Sequence, residues 1–246
     1  MEPIFRQTQK IEDIHLDRFG RLKPSTILYF AQEAAGGHCQ ILKLDWETLA
    51  KQDLFWAVIR QKVEITRLPT KGETITVETW PMPTTRSAYP RATVAYDEKG
   101  QELFRVIGLW VLMNAKTRGM VLPGKSGVEV NGSLRGTELA APGSIAPMAL
   151  ENITIRQVRY TELDRNGHMN NTRYLDWVAD LLPVRFHQEH PLRTFTVCYL
   201  NEARESQEIS LNWQVLDGPV LQVDAHREKT DVPGGKERVF AAQMTF

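Results

Sequence analysis

Asp164-Arg165-Asn166-Gly167-His168-Met169-Asn170-Asn171 is the stretch of this 246-residue chain where side chains able to do chemistry concentrate. Asp164, Asn166 and His168 lie two apart. In an extended loop, side chains two apart point the same way, so the three are expected to face one cavity. His168 exchanges a proton near neutral pH. Asp164 is suited to act as a base, as a nucleophile, or as the group that orients His168 or a water. Asn166 can hold a water or a carbonyl. A helix is expected to start at once, near Asn170 to Thr172, and its free N–H groups and dipole would stabilise an oxyanion. These are the parts that attack of water on a carbonyl requires. The plainer alternative is a turn, since Asp-x-Asn-Gly is good turn sequence and Asn170 or Asn171 a good N-cap. A calcium loop does not fit, because its sixth position is Met169 rather than Gly and its twelfth Leu175 rather than Glu. His187-Gln188-Glu189-His190, followed by Pro191, reads as solvated loop rather than a metal site.

The elements that must carry this stretch repeat. In the first half a strand precedes a helix with Ser25 as N-cap, Pro24 as a break before it, and Ile27, Leu28, Phe30, Ala31, Ala34 and Ala35 at helical spacing. Gly36-Gly37 is expected to end that helix, with His38 at the edge of the core. Strands are expected over 55–66, 72–80, 91–96 and 103–114, and Thr74-Ile75-Thr76-Val77 alternates with period two. Asp97-Glu98-Lys99-Gly100 is the hairpin turn between two of them. The second half offers a strand over 153–160, a helix over 172–182 stopped by Pro183, and strands over 193–201, 208–216, 220–226 and 239–246. Turns are expected at Asp217-Gly218 and Pro233-Gly234-Gly235. Asp17-Arg18-Phe19-Gly20 precedes the first helix and Asp164-Arg165-Asn166-Gly167 the second, in a register of 147 residues. Two copies of one unit, each laying a helix against a curved antiparallel sheet, make an α+β chain that reads as a fused dimer. Residues 1–122 and 149–246 are taken as the units, and 123–148, with Gly124, Gly127, Gly132, Gly136 and Gly143, as their linker. Asn166 and His168 stand where the first copy has Phe19 and Arg21, so the second copy is expected to hold the active site.

Composition narrows the field. Apolar residues make up 42% and charged residues 24%, an ordinary globular balance. Lys+Arg and Asp+Glu are 30 each, a net charge of zero that gives no footprint for nucleic acid. Apolar stretches such as 106–113 are too short to span a bilayer, and the first residues show no basic-then-apolar leader. Cys39 and Cys198 cannot make a disulfide framework or a zinc pattern, which points to a reducing compartment, the cytoplasm. Both are read as buried small hydrophobes, and Tyr174 and Trp177 as core.

The run from Asp164 to Trp177 resembles the signature of acyl-ACP thioesterases, Asp-x-Asn-x-His-x-Asn-Asn followed by Tyr and then Trp at intervals of three. FWAVIRQKVEITRLPTKGETITVETW and GLWVLMNAKTRGMVLP in the first half are similar to the same family, and the resemblance covers nearly the whole chain. It implies a tandem hotdog fold and hydrolysis of acyl–acyl carrier protein to free fatty acid, with an acyl-CoA thioesterase of similar fold as the alternative. It carries the catalytic roles to Asp164, Asn166 and His168, and, through Tyr199-Leu200-Asn201-Glu202-Ala203, to Glu202 on the strand after the helix. Asn170 and Asn171 would touch substrate. Many members carry Cys where this chain has Ala203, so a Cys-His mechanism at that position is excluded. Cys198 would lie roughly 13 Å from Glu202 along a strand. No cofactor or metal is needed, because a thiolate already leaves well. The resemblance also implies that the first unit holds the acyl tail, with Phe55, Trp56, Val58, Leu109, Trp110, Val111 and Leu112 as apolar material. Acyl carrier protein and its phosphopantetheine arm call for cations, and from Ser126 to Glu228 every cationic side chain is Arg, including Arg156, Arg159, Arg165 and Arg173; phosphate contact is one reading, and salt bridging with local acids is the plainer one for most of them. A homodimer is also compatible with the sequence.

Overall fold

The computed structural model describes residues 4–229 and 234–246. The chain divides into two compact units, Met1–Pro142 and Gly143–Phe246. In the first, β1 (Phe5–Lys10), β2 (Leu54–Ile65), β3 (Thr74–Pro81), β4 (Tyr89–Tyr96) and β5 (Glu102–Asn114) form an antiparallel sheet in the order β1-β3-β4-β5-β2. A short β6 (Met120–Val121) pairs with β5. Alternation places Ile75 and Val77 in the core while Glu78 points outward to Arg6 and Arg135. The long α1 (Pro24–Leu42) packs on β1 and β3, and Ile27, Leu28, Phe30 and Ala34 are fully buried. Burying each of the larger three contributes roughly 1.5–3 kcal/mol. The short α2 (Trp46–Ala50) follows, with Asp45 as its cap.

Two expectations about α1 fail. Pro24, not Ser25, opens the helix, because proline has no N–H to lose at the first position; the N-cap is Lys23. Gly36-Gly37 lies inside the helix, which ends at Lys43 in the left-handed conformation (φ 57°). Gly37 serves packing instead. A Cβ there would sit 2.6 Å from the tip of the Phe5 ring, so glycine leaves the room that this ring fills.

The stretch after β6 holds only α3 (Pro123–Ser126) and irregular chain, and through Pro142 it is strapped onto the first unit. The Tyr89 hydroxyl meets Ser126 at 2.8 Å, Arg105 donates to the Thr137 carbonyl at 3.0 Å, and Trp80 Nε1 donates to Glu138 at 3.1 Å. From Gly143 the chain belongs to the second unit, where Arg238 donates to the Ile145 carbonyl.

In the second unit β7 (Asn152–Gln157), β8 (Thr194–Tyr199), β9 (Glu208–Leu216), β10 (Val220–Glu228) and β11 (Lys236–Thr245) form an antiparallel sheet in the order β8-β11-β10-β9-β7. Its helix α4 (Arg173–Ala179) sets Tyr174 against Tyr199 of β8 and Phe240 of β11. The helix expected over 172–182 is shorter, closing in turns before Pro183. Proline then caps α5 (Val184–Glu189), so His187, Gln188 and Glu189 are helical rather than loop. The turn expected at Pro233-Gly234-Gly235 begins outside the described residues. Both units are α+β with a helix on an antiparallel sheet, the tandem hotdog arrangement.

Candidate active site

The loop that enters α4 is a closed turn, not an extended segment. Leu163 and Met169 bridge, Asp164 N–H donates to the His168 carbonyl at 2.7 Å, and Gly167 adopts φ +76°, which glycine tolerates best. Asp164 Oδ1 accepts from the N–H groups of Asn166 (2.8 Å) and His168 (3.1 Å). One carboxylate thus orders the backbone of the loop. The parity argument for three parallel side chains does not hold, since the chain reverses between them. Asn166 is exposed at the tip, and His168 is half-buried.

The partner segment follows β8. Leu200 and Asn201 N–H both donate to the Val239 carbonyl, and Asn201 Nδ2 donates to the Arg238 carbonyl. Glu202 therefore lies just beyond the strand expected to carry it, which ends at Tyr199. Met169 N–H donates to the Ala203 carbonyl at 2.8 Å, and His168 bridges with Arg204. Between these ties Glu202 Oε2 stands 3.2 Å from His168 Nε2, with side-chain exposures of 38% and 13%. The imidazole is largely enclosed while the carboxylate still reaches solvent, an arrangement in which a water beside the pair can give up a proton. Tyr174, beneath the loop, bonds the backbone of Ala203. Burial pushes its hydroxyl far above the usual range, so it stays protonated and acts as a prop.

Asn170 is occupied in shaping the helix entry. Its Oδ1 accepts from the Thr172 N–H and hydroxyl, and its carbonyl accepts from Arg173 N–H. The Asn171 carbonyl accepts from the Tyr199 hydroxyl. The N–H groups of residues 170, 172 and 173 are engaged within the chain, so the helix entry does not offer them to an oxyanion. Tyr174, Trp177 and Cys198 are buried as expected; Cys39 is only half-buried, and His38 is fully buried within α1. Among the described residues, no group of three or more His, Cys, Asp or Glu side chains is placed to hold a metal. Arg227, which grips the Glu202 backbone, escaped sequence reasoning. It lies on β10 with no local motif, and only strand register brings it there.

Within the first unit, a small, partly open space lies between α1 and the sheet. Ala31 and Ala35 line it from the helix, and Gln61, Arg91, Thr93 and Trp110 from the strands. Of the apolar residues expected to hold a tail, Trp110 faces this space. Trp56 and Leu112 pack around Leu49 and Leu54, and Leu109 and Val111 around Ala88. Arg91 contacts His38 Nδ1 at 3.1 Å, and burial lowers its pKa from the ordinary range.

Residues 2–122 match the family model of the acyl-ACP thioesterase N-terminal domain, and residues 147–232 that of the C-terminal domain. The chain belongs to the acyl-ACP thioesterase family. Among curated relatives of that family, the chloroplastic palmitoyl-acyl carrier protein thioesterase of Gossypium hirsutum is 27% identical over 217 residues, 81% of this chain and 52% of the relative. The dodecanoyl-[acyl-carrier-protein] hydrolase of Cinnamomum camphora is 28% identical over 214 residues, 81% of this chain and 56% of the relative. The chain thus spans about half the length of the curated relatives it matches. Among solved structures, an acyl-ACP thioesterase from Bacteroides thetaiotaomicron superposes with a TM-score of 0.88 at 23% identity, covering 99% of this chain and 98% of that one. The 12:0-ACP thioesterase of Umbellularia californica gives 0.82 at 23% identity, covering 100% and 97%. At these identities the likeness establishes the fold.

Proposed function

We propose that this family member hydrolyses the thioester of a fatty acyl chain carried on acyl carrier protein, releasing free fatty acid and the phosphopantetheine thiol. The observation that carries this reading is the 3.2 Å contact between His168 and Glu202. The pair takes a proton from water, the water oxygen attacks the carbonyl carbon, and the tetrahedral intermediate collapses with cleavage of the C–S bond. The thiolate leaves and takes up the proton. Asp164, with Oδ1 already accepting two backbone N–H groups, serves this reading as the builder of the His168 loop rather than as the nucleophile. Asn166, exposed at the loop tip, and Asn171 are the side chains assigned to substrate and water, and Asn170 orders their backbone. Residues 149–246 carry the chemistry, and residues 1–122 hold the acyl tail, which would have to widen the small space beside Ala31, Ala35 and Trp110 to lie there. Among the described residues no helix is long and apolar enough to cross a membrane. Both cysteines are free, which fits a reducing setting such as the cytoplasm.

A ladder of acyl–acyl carrier proteins and matched acyl-CoA thioesters tests the proposal. Release of fatty acid from the carrier-protein series is expected, with loss of turnover in His168→Ala and Glu202→Gln. A strong preference for the CoA series overturns the substrate assignment, and full turnover in both variants overturns the site.

A further inference from the structure

We infer that Arg227 is a positioning residue for hydrolysis, fixing the peptide that carries Glu202 so that its carboxylate stays on His168; this rests on the site reading above. Glu202 sits outside any strand ladder, in the turn between β8 and β9, and over a third of its side chain is exposed. The direction of a carboxylate in such a place depends on how firmly its backbone is held. The guanidinium of Arg227, four-fifths buried, reaches that backbone from β10. Nη1 donates to the Glu202 carbonyl at 2.5 Å and to Gln207 Oε1 at 2.9 Å. Gln207 Oε1 in turn accepts from Arg204 N–H at 2.9 Å, so the same arginine holds both ends of the turn. The other edge of the fork is anchored: Nε and Nη2 lie 2.8 and 2.6 Å from Glu237 Oε2, directly across the strand pair on β11. A planar fork with fixed donor directions makes all these contacts at once, whereas a lysine ammonium on its flexible stem does not. Arg227 meets Glu202 at its main-chain carbonyl. Its influence on the reaction therefore passes through where the Glu202 side chain points.

The test is a double-mutant cycle on the full chain with an acyl–acyl carrier protein as substrate. Arg227→Met is expected to lower kcat about 10- to 100-fold while KM changes less than about threefold, and to displace the limbs of the pH–rate profile. Arg227→Lys is expected to fall between it and the parent, and Glu237→Gln to show a weaker loss of the same kind. In the Glu202→Gln background, adding Arg227→Met should lower kcat little further, since the group it aims is already gone. Thermal midpoints separate this from unfolding; if Arg227→Met does not fold, Arg227→Lys carries the same cycle. If Glu202→Gln alone leaves kcat unchanged, the site reading fails and the inference with it. If Glu202→Gln is impaired but the Arg227 loss multiplies onto it in full, or Arg227 variants lose only stability, the site stands and the inference is overturned.

Discussion

In the turn around Asp17, the carboxylate Oδ1 accepts from Phe19 N–H at 2.8 Å and Arg21 N–H at 2.9 Å; around Asp164 it accepts from Asn166 at 2.8 Å and His168 at 3.1 Å. Leu16 bridges Leu22 as Leu163 bridges Met169, and Gly20 and Gly167 share a left-handed φ of 71° and 76°. The two loops have one backbone. In the first, the guanidinium groups of Arg18 and Arg21 lie 5.4 and 5.3 Å from the Phe19 ring, a stack with no proton to exchange near neutral pH. In the second, the same positions present an exposed amide and an imidazole against a carboxylate. The comparison separates two roles that the motif runs together. The aspartate holds the same two backbone N–H groups in both units, and the proposed chemistry sits on a loop scaffold that the first unit has as well.

Breaking the second loop's chemistry gives the largest effect. His168→Ala is expected to lower turnover by about 10²–10⁴, whereas Arg21→Ala at the matching place should leave it within about twofold; release of thiol from acyl–acyl carrier protein measures both. Next come the aspartates. Asp17→Ala and Asp164→Ala each remove two charge-assisted hydrogen bonds, and each should lower unfolding free energy by about 1–3 kcal/mol in denaturant titration. Only Asp164→Ala should also depress activity. Asp164→Asn keeps an acceptor at Oδ1 and should retain much of the rate; abolished turnover in a folded Asp164→Asn would restore Asp164 as nucleophile.

A subtler pair lies in α1, whose 19 residues contrast with the seven of α4. Gly36 has open space where a Cβ would be, so Gly36→Ala should raise stability by about 0.5–1 kcal/mol. Gly37→Ala must displace Phe5 and should give up that gain. The smallest effect is acid sensitivity in the first unit. The hydrogen bond from Arg67 holds the Glu73 carboxyl at about 2, below its ordinary value of 4.5. A carboxyl depressed on folding adds stability that is complete above its unfolded pKa and drains away as pH falls through 4.5 toward 2. Glu73→Gln should flatten that part of the melting-temperature profile, by a small margin because Arg67 is 45% exposed.

Much of the fold was legible because it rests on periodicity. Thr74-Ile75-Thr76-Val77 could only be a half-buried strand, and the spacing from Ile27 to Ala35 could only be a helix face. The 147-residue register of the two Asp-Arg-x-Gly turns disclosed the duplication. Gly36-Gly37 misled because glycine is read from sequence as a stop, while its use here is a close approach by Phe5, 32 residues away in sequence. His168 stood out by its type and spacing, whereas Glu202 was legible only through a family pattern. Nothing local distinguishes Glu202 from a surface carboxylate, and its place on His168 is made by the cross-links of Ala203, Arg204 and Arg227. Arg227 was illegible altogether, since its partners come from other elements and only the strand register joins them.

Ala203 puts a fully buried methyl beside Glu202. The two thiols of the chain are elsewhere: Cys198 is shut in against the Gly143 carbonyl, and Cys39 is in the first unit with its thiol pushed up by burial. Alkylating agents such as iodoacetamide should therefore leave turnover unchanged, so a thiol-directed reagent can label the chain without silencing it.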